Sequence, residues 1–351
     1  MISIKVPARI CFFGDHQDYL DLPVIAGTID RFITFNAVEK SGDSLQINLP
    51  DIDVSYVIPL SEPGIVIEKN DYFRSAMAVL KKNGIEVQKG FEVTVSGNIP
   101  VNAGLSSSSA LVVGWIRFLL AAAEVSYKIT DVQIGKWAYE SEVLFFNQPG
   151  GLMDQYTIAL GGLIYIDTQS GQCTPLNTDL GTLIVAESGL AKQTLTVLKN
   201  ASVYAQKAIK AVVEQYPKFD IHLATVADYL KYRDSIPEKY QPYWYAAIHN
   251  YDLTRKAKAM LLERKTNPIL LGQWMQEHQY ILQHHIQNTP PEMIKMIDAA
   301  IAAGALGAKI IGSGGGGCIV AMATEKTKTA IIEAMLTAGA AAAYEVQLTT
   351  H

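Results

Sequence analysis

The sequence contains few cysteines, no excess of basic residues and no long apolar run. Its 351 residues include three cysteines, Cys11, Cys173 and Cys318, which lie far apart. An odd number at this spacing fits neither a disulfide framework nor a thiolate metal cluster, and it favours a reducing compartment. The 29 basic residues against 34 acidic ones leave a formal charge of -5. The basic surface that is typical of nucleic-acid-binding proteins is therefore lacking.

The apolar segments are too short for a membrane span. Residues 110–123 are a representative case: they are interrupted by glycine and arginine and fall below the roughly 20 apolar residues that a bilayer requires. Near the start of the chain, Lys5, Arg9 and Asp15 stand where a signal peptide needs an uninterrupted apolar stretch. We expect a cytoplasmic protein that binds neither membranes nor nucleic acid. We also expect a monomer or a weak homodimer.

Residue patterning divides the chain into two mixed units. Residues 24–40 and 91–100 are rich in β-forming residues, whereas most of the C-terminal half has helical periodicity. The polar stretch 168–180 lies between these regions, so we predict one unit at 1–175 and a second at 176–351. Strands and helices do not alternate strictly. This pattern favours an α+β fold over a doubly wound sheet.

A glycine loop near the C-terminus, GSGGGG at 312–317, follows a predicted strand. Its spacing formally satisfies the dinucleotide-binding pattern, but that pattern follows a first strand and opens a helix. This loop instead leads into an apolar, β-rich segment, which disfavours a dinucleotide site. A plain hairpin turn stays open. Four consecutive glycines nevertheless cost backbone entropy, which favours a close approach of the chain to another group.

A serine-rich segment, GLSSSSA at 104–110, joins a predicted strand to an apolar helix. Backbone N–H groups and hydroxyls at a helix N-terminus favour a bound anion. The segment lacks the Gly-Lys-Ser/Thr ending of a P-loop, so it has no P-loop lysine. One serine is enough to cap a helix, and simple capping stays open. Four in a row favour a phosphate cradle.

Three segments along the chain resemble the three motifs of the GHMP small-molecule kinases. They are PARICFFGDHQDY from residue 7, PVNAGLSSSSA from residue 100 and AKIIGSGGGGC from residue 308. The resemblance implies the two-domain GHMP kinase fold, with an N-terminal domain like ribosomal protein S5 domain 2 and a ferredoxin-like C-terminal domain. It also implies that ATP and the acceptor bind in the cleft between the two.

Within this family, two segments resemble those of galactokinase and related sugar 1-kinases. GDHQDY at 14–19 is similar to Gly-Glu-His-Thr-Asp-Tyr, and PGGLMDQ at 149–155 is similar to Pro-x-Gly-Ile-Met-Asp-Gln. Carboxylates accept hydroxyl protons and histidine donates or accepts, which suits the recognition of sugar hydroxyls. The resemblance assigns substrate binding to Asp15, His16, Asp18 and Gly151.

The resemblance also assigns the chemistry of phosphoryl transfer. Asp154 is the expected base, and Arg9 beside it holds the carboxylate ionised and stabilises charge on the phosphoryl group. Ser108 and Glu142 match the family's Mg²⁺ ligands. From the residues alone, Asp154 also fits a helix-flanking cap and Glu142 a solvated helix face. ATP binding is assigned to residues of the two loops: Gly104, Leu105, Ser106, Ser107, Ser108, Ser109, Gly314 and Gly315.

The implied activity is transfer of the γ-phosphoryl group of ATP to a sugar hydroxyl, the anomeric one if the enzyme acts like galactokinase. Leu20, Asp21 and Leu22 depart from the asparagine and paired glycines usual in galactokinases, and the first motif begins almost at Met1. In the position of the first motif and in the run at 161–167, the chain looks closer to heptose and glucuronate kinases.

Two other acceptor classes and one non-enzymatic function stay open. Mevalonate and glucuronate are disfavoured because the acidic Asp15 and Asp18 repel an anionic substrate. A sugar-sensing protein without catalysis is the alternative from another class, and it would be expected to lose the residues of phosphoryl transfer. All four of those residues are present, which favours an enzyme; they are Arg9, Ser108, Glu142 and Asp154.

Overall fold

Two β-sheets with packed helices organise the chain. The computed structural model describes residues 1–61, 66–176, 178, 180–191, 194–263 and 266–350. The strands are β1 Ile2–Phe13, β2 Val24–Lys40, β3 Ser44–Leu49, β4 Val54–Pro59, β5 Gly90–Gly97, β6 Leu163–Asp167, β7 Gln172–Pro175, β8 Thr182–Glu187, β9 Gly307–Ile310, β10 Cys318–Ala323 and β11 Ala342–Val346. The helices are α1 Tyr72–Lys82, α2 Ser107–Ala122, α3 Asp131–Tyr139, α4 Met153–Leu160, α5 Thr194–Gln215, α6 Val226–Tyr232, α7 Gln241–Leu261, α8 Pro268–Ile281, α9 Pro291–Ala302 and α10 Lys328–Thr337. Across these described ranges, no helix is both long and apolar enough to traverse a bilayer.

The first sheet is built around the long strand β2. Strand β1 pairs with β2 in antiparallel register, and the register shifts between Pro7 and Ala8. Proline cannot donate a ladder hydrogen bond, so a shift beside it is physically reasonable. One half of β2 also pairs with β5 and the other half with β6, which gives the order β4-β3-β5-β2-β6-β7. The predicted strand at 24–40 is confirmed.

The second sheet has four antiparallel strands in the order β11-β8-β10-β9. With α10 between β10 and β11, and the helical segment α5 to α9 between β8 and β9, this is the β-α-β-β-α-β arrangement of ferredoxin-like domains. The predicted α+β class is confirmed. The glycine loop at 312–317 connects the antiparallel neighbours β9 and β10, so its backbone is a hairpin connection.

The two sheets share one apolar core. Val93 of β5 and Trp115 of α2 belong to the same buried cluster as Val185 of β8 and Val320 of β10. The predicted boundary at 175/176 falls between the last strand of one sheet and the first of the other, and it stays a prediction. Seven residues of the predicted linker and of the C-terminal half lie outside the described residues: Asn177, Asp179, Lys192, Gln193, Arg264, Lys265 and His351.

Helix α2 gives the cleft between the sheets a rigid wall. Its residues are apolar on nearly every side, which is the pattern of a helix buried in a protein interior. Trp115 is fully buried and donates from its indole N–H to the Phe73 carbonyl over 3.1 Å. Its ring stacks on Phe118 with centroids 5.0 Å apart. The serine loop that precedes α2 is therefore attached to a fixed element.

Candidate active site

The serine loop, residues 104–109, ends in the first turn of α2. Ser106 has a left-handed backbone with φ of 59°, and the helix begins at Ser107. First-turn N–H groups have no partners within the helix, and together with the helix dipole they attract anions. The Ser106 side chain makes no capping hydrogen bond. Its hydroxyl donates instead to Asp154 Oδ2 over 2.5 Å, so simple capping does not account for this serine.

Arg9 and Asp154 form a forked ion pair beside this helix end. Arg9 Nε donates to Asp154 Oδ1 over 2.7 Å, and Nη2 donates to Oδ2 over 2.9 Å. The third donor, Nη1, binds the Gly104 carbonyl over 2.7 Å. The arginine side chain is 3% exposed, whereas the aspartate remains 28% exposed. The carboxylate is thus fixed in orientation and still accessible from the cleft.

Glu142 is the second acid of the site. It belongs to a π-helical turn, Glu140–Leu144, which follows α3 and turns this side chain inward. Gln155 Nε2 donates to Glu142 Oε2 over 2.7 Å. Burial raises the pKa of Glu142, while hydrogen bonds from Ser108, Gln155 and Ser109 act in the opposite direction. The alternative of a solvated helix face does not hold for this glutamate, which is 6% exposed.

The oxygen donors near Glu142 fit a magnesium ion. Carboxylate and hydroxyl oxygens are ligands that Mg²⁺ prefers, and Ser108 is hydrogen-bonded to Glu142. Gln155 Oε1 is buried beside them and has no hydrogen-bond partner. No three His, Cys, Asp or Glu side chains in the described ranges converge as a complete metal site. Phosphate and water oxygens would have to complete the coordination of an ion here.

Asp18 and Gly151 lie in contact with each other in the same cleft as Asp154. Gly151 is packed so closely against the Asp18 carboxyl group that a β-carbon at this position would overlap it. Burial, with Asp154 nearby, raises the pKa of Asp18 to about 7. The two carboxyl groups thus share a partly buried space in which both cannot easily be ionised.

Asp15 and His16 are engaged by the C-terminal half of the chain. Asp15 forms a buried ion pair with Lys309 at 2.7 Å. His16 Nε2 lies 3.0 Å from the Ser313 carbonyl, and Nδ1 lies 3.1 Å from the Tyr19 hydroxyl. The structure brings both residues to the edge of the cleft, but with their polar atoms occupied.

The glycine loop closes against the serine loop. A β-carbon on Gly317 would lie 2.7 Å from the Ala103 carbonyl, and one on Gly314 would lie 2.5 Å from the Asn288 carbonyl. These close approaches, with φ of 91° and 73°, explain why glycine occupies both positions. Gly312 and Ser313, not Gly314, line the cleft among the described residues.

The remaining predicted ATP-binding residues divide into two groups. Gly104 and Ser106 to Ser109 line a cleft of about 340 Å³ together with Arg9, Asp18, Glu142 and Asp154. Leu105 and Gly315 lie outside that lining. The Leu105 side chain is fully buried and its carbonyl accepts from Arg9 N over 3.3 Å, while Gly315 N donates to the Asn288 carbonyl over 2.7 Å. Their assignment to ATP stays a prediction.

Several residues of the site were missed by sequence reasoning. Asn70, Tyr72 and Gln148 line the rim of the cleft and hydrogen-bond with one another. Lys309 lies three residues before Gly312, and its place inside the third motif was a signal that could have found it. Asn288, which contacts the same loop, lies in no recognisable motif.

These features define the protein as a two-unit α+β protein in which a helix N-terminus and an ion-paired carboxylate line one cleft. The GHMP kinases N terminal domain model matches residues 71–162, and the GHMP kinases C terminal model matches residues 257–341. Together they match just over half of the sequence. The chain belongs to the GHMP kinase family.

The proteins that resemble the chain include kinases named for different substrates. A mevalonate kinase of Thermococcus gammatolerans is 27% identical over 337 residues, which cover 93% of this chain and 90% of that protein. A galactokinase of Thermococcus kodakarensis is 27% identical over 326 residues, with coverage of 92% and 89%. The structure of Lactococcus lactis galactokinase complexed with galactose has a TM-score of 0.86 at 20% identity, covering 99% of this chain and 93% of that one. The last similarity confirms the fold.

The contact between Gly151 and Asp18 predicts a steric effect of a single methyl group. Gly151→Ala should lower the free energy of unfolding by about 1–3 kcal/mol, because the methyl must displace the carboxyl group. Gly150→Ala is the matched control, since its β-carbon would lie 3.8 Å from Val143 methyl groups, an ordinary contact. Denaturant unfolding measures both variants. Equal stability of the two would contradict the packing.

The raised pKa of Asp18 predicts a pH-dependent stability difference. The folded chain favours the protonated carboxyl group, so its contribution to stability is present below pH 3.8 and is lost as the pH rises through about 7. Asp18→Asn should therefore gain in melting temperature over the wild type as the pH rises across this range. Asp21→Asn, at an exposed acid, is the control. A difference that does not change with pH would refute the shift.

Proposed function

We propose that the protein is an ATP-dependent kinase that transfers the γ-phosphoryl group to a hydroxyl of a neutral sugar, the anomeric hydroxyl in the first instance. The observation that carries the proposal is the forked pair of Arg9 and Asp154. It holds a cleft-exposed carboxylate next to the anion-attracting N-terminus of α2. An acceptor hydroxyl bound at Asp154 would thus lie close to a phosphate bound at the serine loop.

The charge of the cleft supports a neutral acceptor. Arg9 is the only lysine or arginine among the described residues that line the cleft, and it is already paired with Asp154. A substrate carboxylate would find no free cation there and would meet Asp18. Lys309 neutralises Asp15, so the expected repulsion of an anionic acid depends on Asp18 and not on both aspartates. Asp18 repels such an acid when its carboxyl group, whose pKa is raised to about 7, is ionised. This argument disfavours mevalonate and glucuronate, although mevalonate kinases are among the relatives.

The proposed step needs little base strength from Asp154. Phosphoryl transfer has a loose transition state, in which positioning and charge neutralisation count for more than proton removal. The acceptor oxygen forms a bond to the γ-phosphorus, the bond from that phosphorus to the bridging oxygen breaks, and ADP leaves. Asp154 orients the acceptor hydroxyl and takes its proton. Arg9 balances the negative charge beside the reacting groups.

Ser108 and Glu142 are the residues that would hold Mg²⁺ in this reaction. The ion would supply neutralisation of the phosphate charge. Gln155 fixes the Glu142 carboxylate from one side through its 2.7 Å hydrogen bond. The contacts among these residues and Asp154 also favour an enzyme over a sugar sensor, since a protein without catalysis has no use for this arrangement.

An acceptor panel tests the proposed substrate class. ATP consumption is measured with hexoses, heptoses, uronates and mevalonate, and each active sugar is compared with its 1-deoxy analogue. We expect turnover on a neutral sugar and none on the analogue that lacks the anomeric hydroxyl. Preferential turnover of mevalonate or of a uronate would overturn the neutral-acceptor proposal. Nucleotide binding without turnover on any acceptor would favour the sensor.

Substitution of the proposed base separates binding from chemistry. Asp154→Asn keeps the shape and should leave ATP affinity within about twofold, while kcat falls about 10²–10⁴-fold because hydroxyl orientation and proton transfer are lost. Asp131→Asn is the control, since Asp131 is an exposed acid paired with Arg117 at 2.7 Å. Calorimetry and steady-state kinetics give the two readouts. Near-normal turnover of Asp154→Asn would remove it as the base.

A further inference from the structure

A buried ion pair connects the two halves of the chain next to the cleft. Asp15 follows β1, Lys309 lies on β9, and their charged atoms are 2.7 Å apart. Both side chains have 0% exposure. Lys309 Nζ also donates to the Cys11 carbonyl over 3.1 Å and to the Ile310 carbonyl over 2.6 Å. The ammonium group is therefore fully surrounded by acceptors from both units.

Two titratable groups near this ion pair, the Cys11 thiol and the His278 ring, carry no charge. Burial raises the pKa of Asp15, but the Lys309 ammonium, together with hydrogen bonds to the carboxylate, holds that pKa below its ordinary value. Burial, with Lys309 nearby, lowers the pKa of His278 to about 3, so this ring is neutral. Burial also raises the pKa of the Cys11 thiol strongly, so it too is neutral. Each charge of the pair is thus compensated mainly by the other.

The same aspartate binds the glycine loop directly. Gly312 N donates to Asp15 Oδ1 over 2.7 Å, while Oδ2 faces Lys309. One residue further on, Ser313 presents its carbonyl to His16 Nε2 at 3.0 Å and to Asn288 Nδ2 at 3.1 Å. The loop is consequently anchored at its start by two successive residues of the N-terminal unit.

We propose that Asp15 is a positioning residue, which with Lys309 holds the glycine loop over the nucleotide site, and that it does not bind acceptor hydroxyls. The proposal rests on the proposed kinase function for the identity of the nucleotide site. Both carboxylate oxygens of Asp15 are already bound, by Lys309 and by the Gly312 amide, and the Asp15 side chain has no exposed surface. Recognition of the acceptor by a side chain of the first motif then falls to Asp18.

The glycine loop is fixed at both of its ends, at the start by Asp15 and at the far end by contact with the segment that leads into the serine loop. Gly317 approaches Ala103 so closely that no side chain fits between them. The Ser188 amide holds the Gly317 carbonyl over 2.9 Å. With its first residue fixed by Asp15 and its last by this contact, the loop has little freedom. Loss of the first anchor should loosen it next to the phosphate site.

Two single variants and their combination test the proposal. Asp15→Asn and Lys309→Met each remove one charge, and Lys328→Met, at a surface ion pair of the same unit, is the control. ADP affinity is measured by calorimetry without acceptor, and amide exchange is measured over residues 312–317. We expect ADP affinity to fall about 10- to 100-fold and loop exchange to accelerate in both variants. The control should behave like the wild type, and the acceptor KM should change by less than about twofold.

The double variant guards against failure of the single variants to fold. Each single change leaves a buried charge without its partner, which is strongly destabilising, whereas the combination leaves none. Folded Asp15→Asn/Lys309→Met should show the same weak ADP binding and fast loop exchange. Unchanged ADP affinity and loop exchange in Asp15→Asn or in the folded double variant would overturn the proposal, as would a rise in the acceptor KM alone.

The outcome is distinguishable from failure of the proposed function. If the wild type binds ADP and phosphorylates no acceptor, the kinase proposal fails. ADP affinity and loop exchange still decide whether Asp15 positions the loop, because neither readout needs turnover.

Discussion

The guanidinium of Arg9 is the interaction on which the geometry of the site depends. It joins β1 to the serine loop through Gly104 and to α4 through Asp154. An arginine presents its donors in a rigid planar fork, so three contacts fix the three segments relative to one another. Burial alone would lower the pKa of Arg9, but Asp154 holds it above its ordinary value. A buried guanidinium without these partners would lower the stability of the fold. Movement of any one segment away from Arg9 is therefore unfavourable.

The two ion pairs of the site differ in what they can do. Asp154 is 28% exposed, so a ligand can reach its carboxylate while Arg9 holds it from behind. The side chains of Asp15 and Lys309 have no exposure, and their charged atoms bind each other and the backbone instead. In the roles proposed above, one chain region, from Arg9 to Asp15, supplies one charged residue for chemistry and another for positioning of the glycine loop. Asp154 and Asp15 are both ion-paired aspartates, so the exposure of the side chain distinguishes them and the residue type does not.

The sequence was sufficient to predict those elements whose structure depends on neighbouring residues. The β-forming residues in 24–40 predicted β2, and glycine followed by serines predicted the loop before α2, because backbone freedom and β propensity depend on local residues. The role of Asp15 could not be read in this way, because its partner lies 294 residues away. The residues alone left the direction of the Glu142 side chain open for a different reason. It depends on a π-helical turn, for which the local composition gives no distinct signal.

The charge balance of the cleft constrains how a nucleotide binds. Three carboxyl groups, of Asp18, Glu142 and Asp154, face the single guanidinium of Arg9, and the Asp15 pair is neutral. A triphosphate adds further negative charge, which the N-terminus of α2 offsets only in part. A divalent cation near Glu142 would restore the balance. Protonation of Asp18, whose pKa is raised to about 7, acts in the same direction. An acceptor that brings hydroxyl donors and no charge is the one that leaves this balance undisturbed.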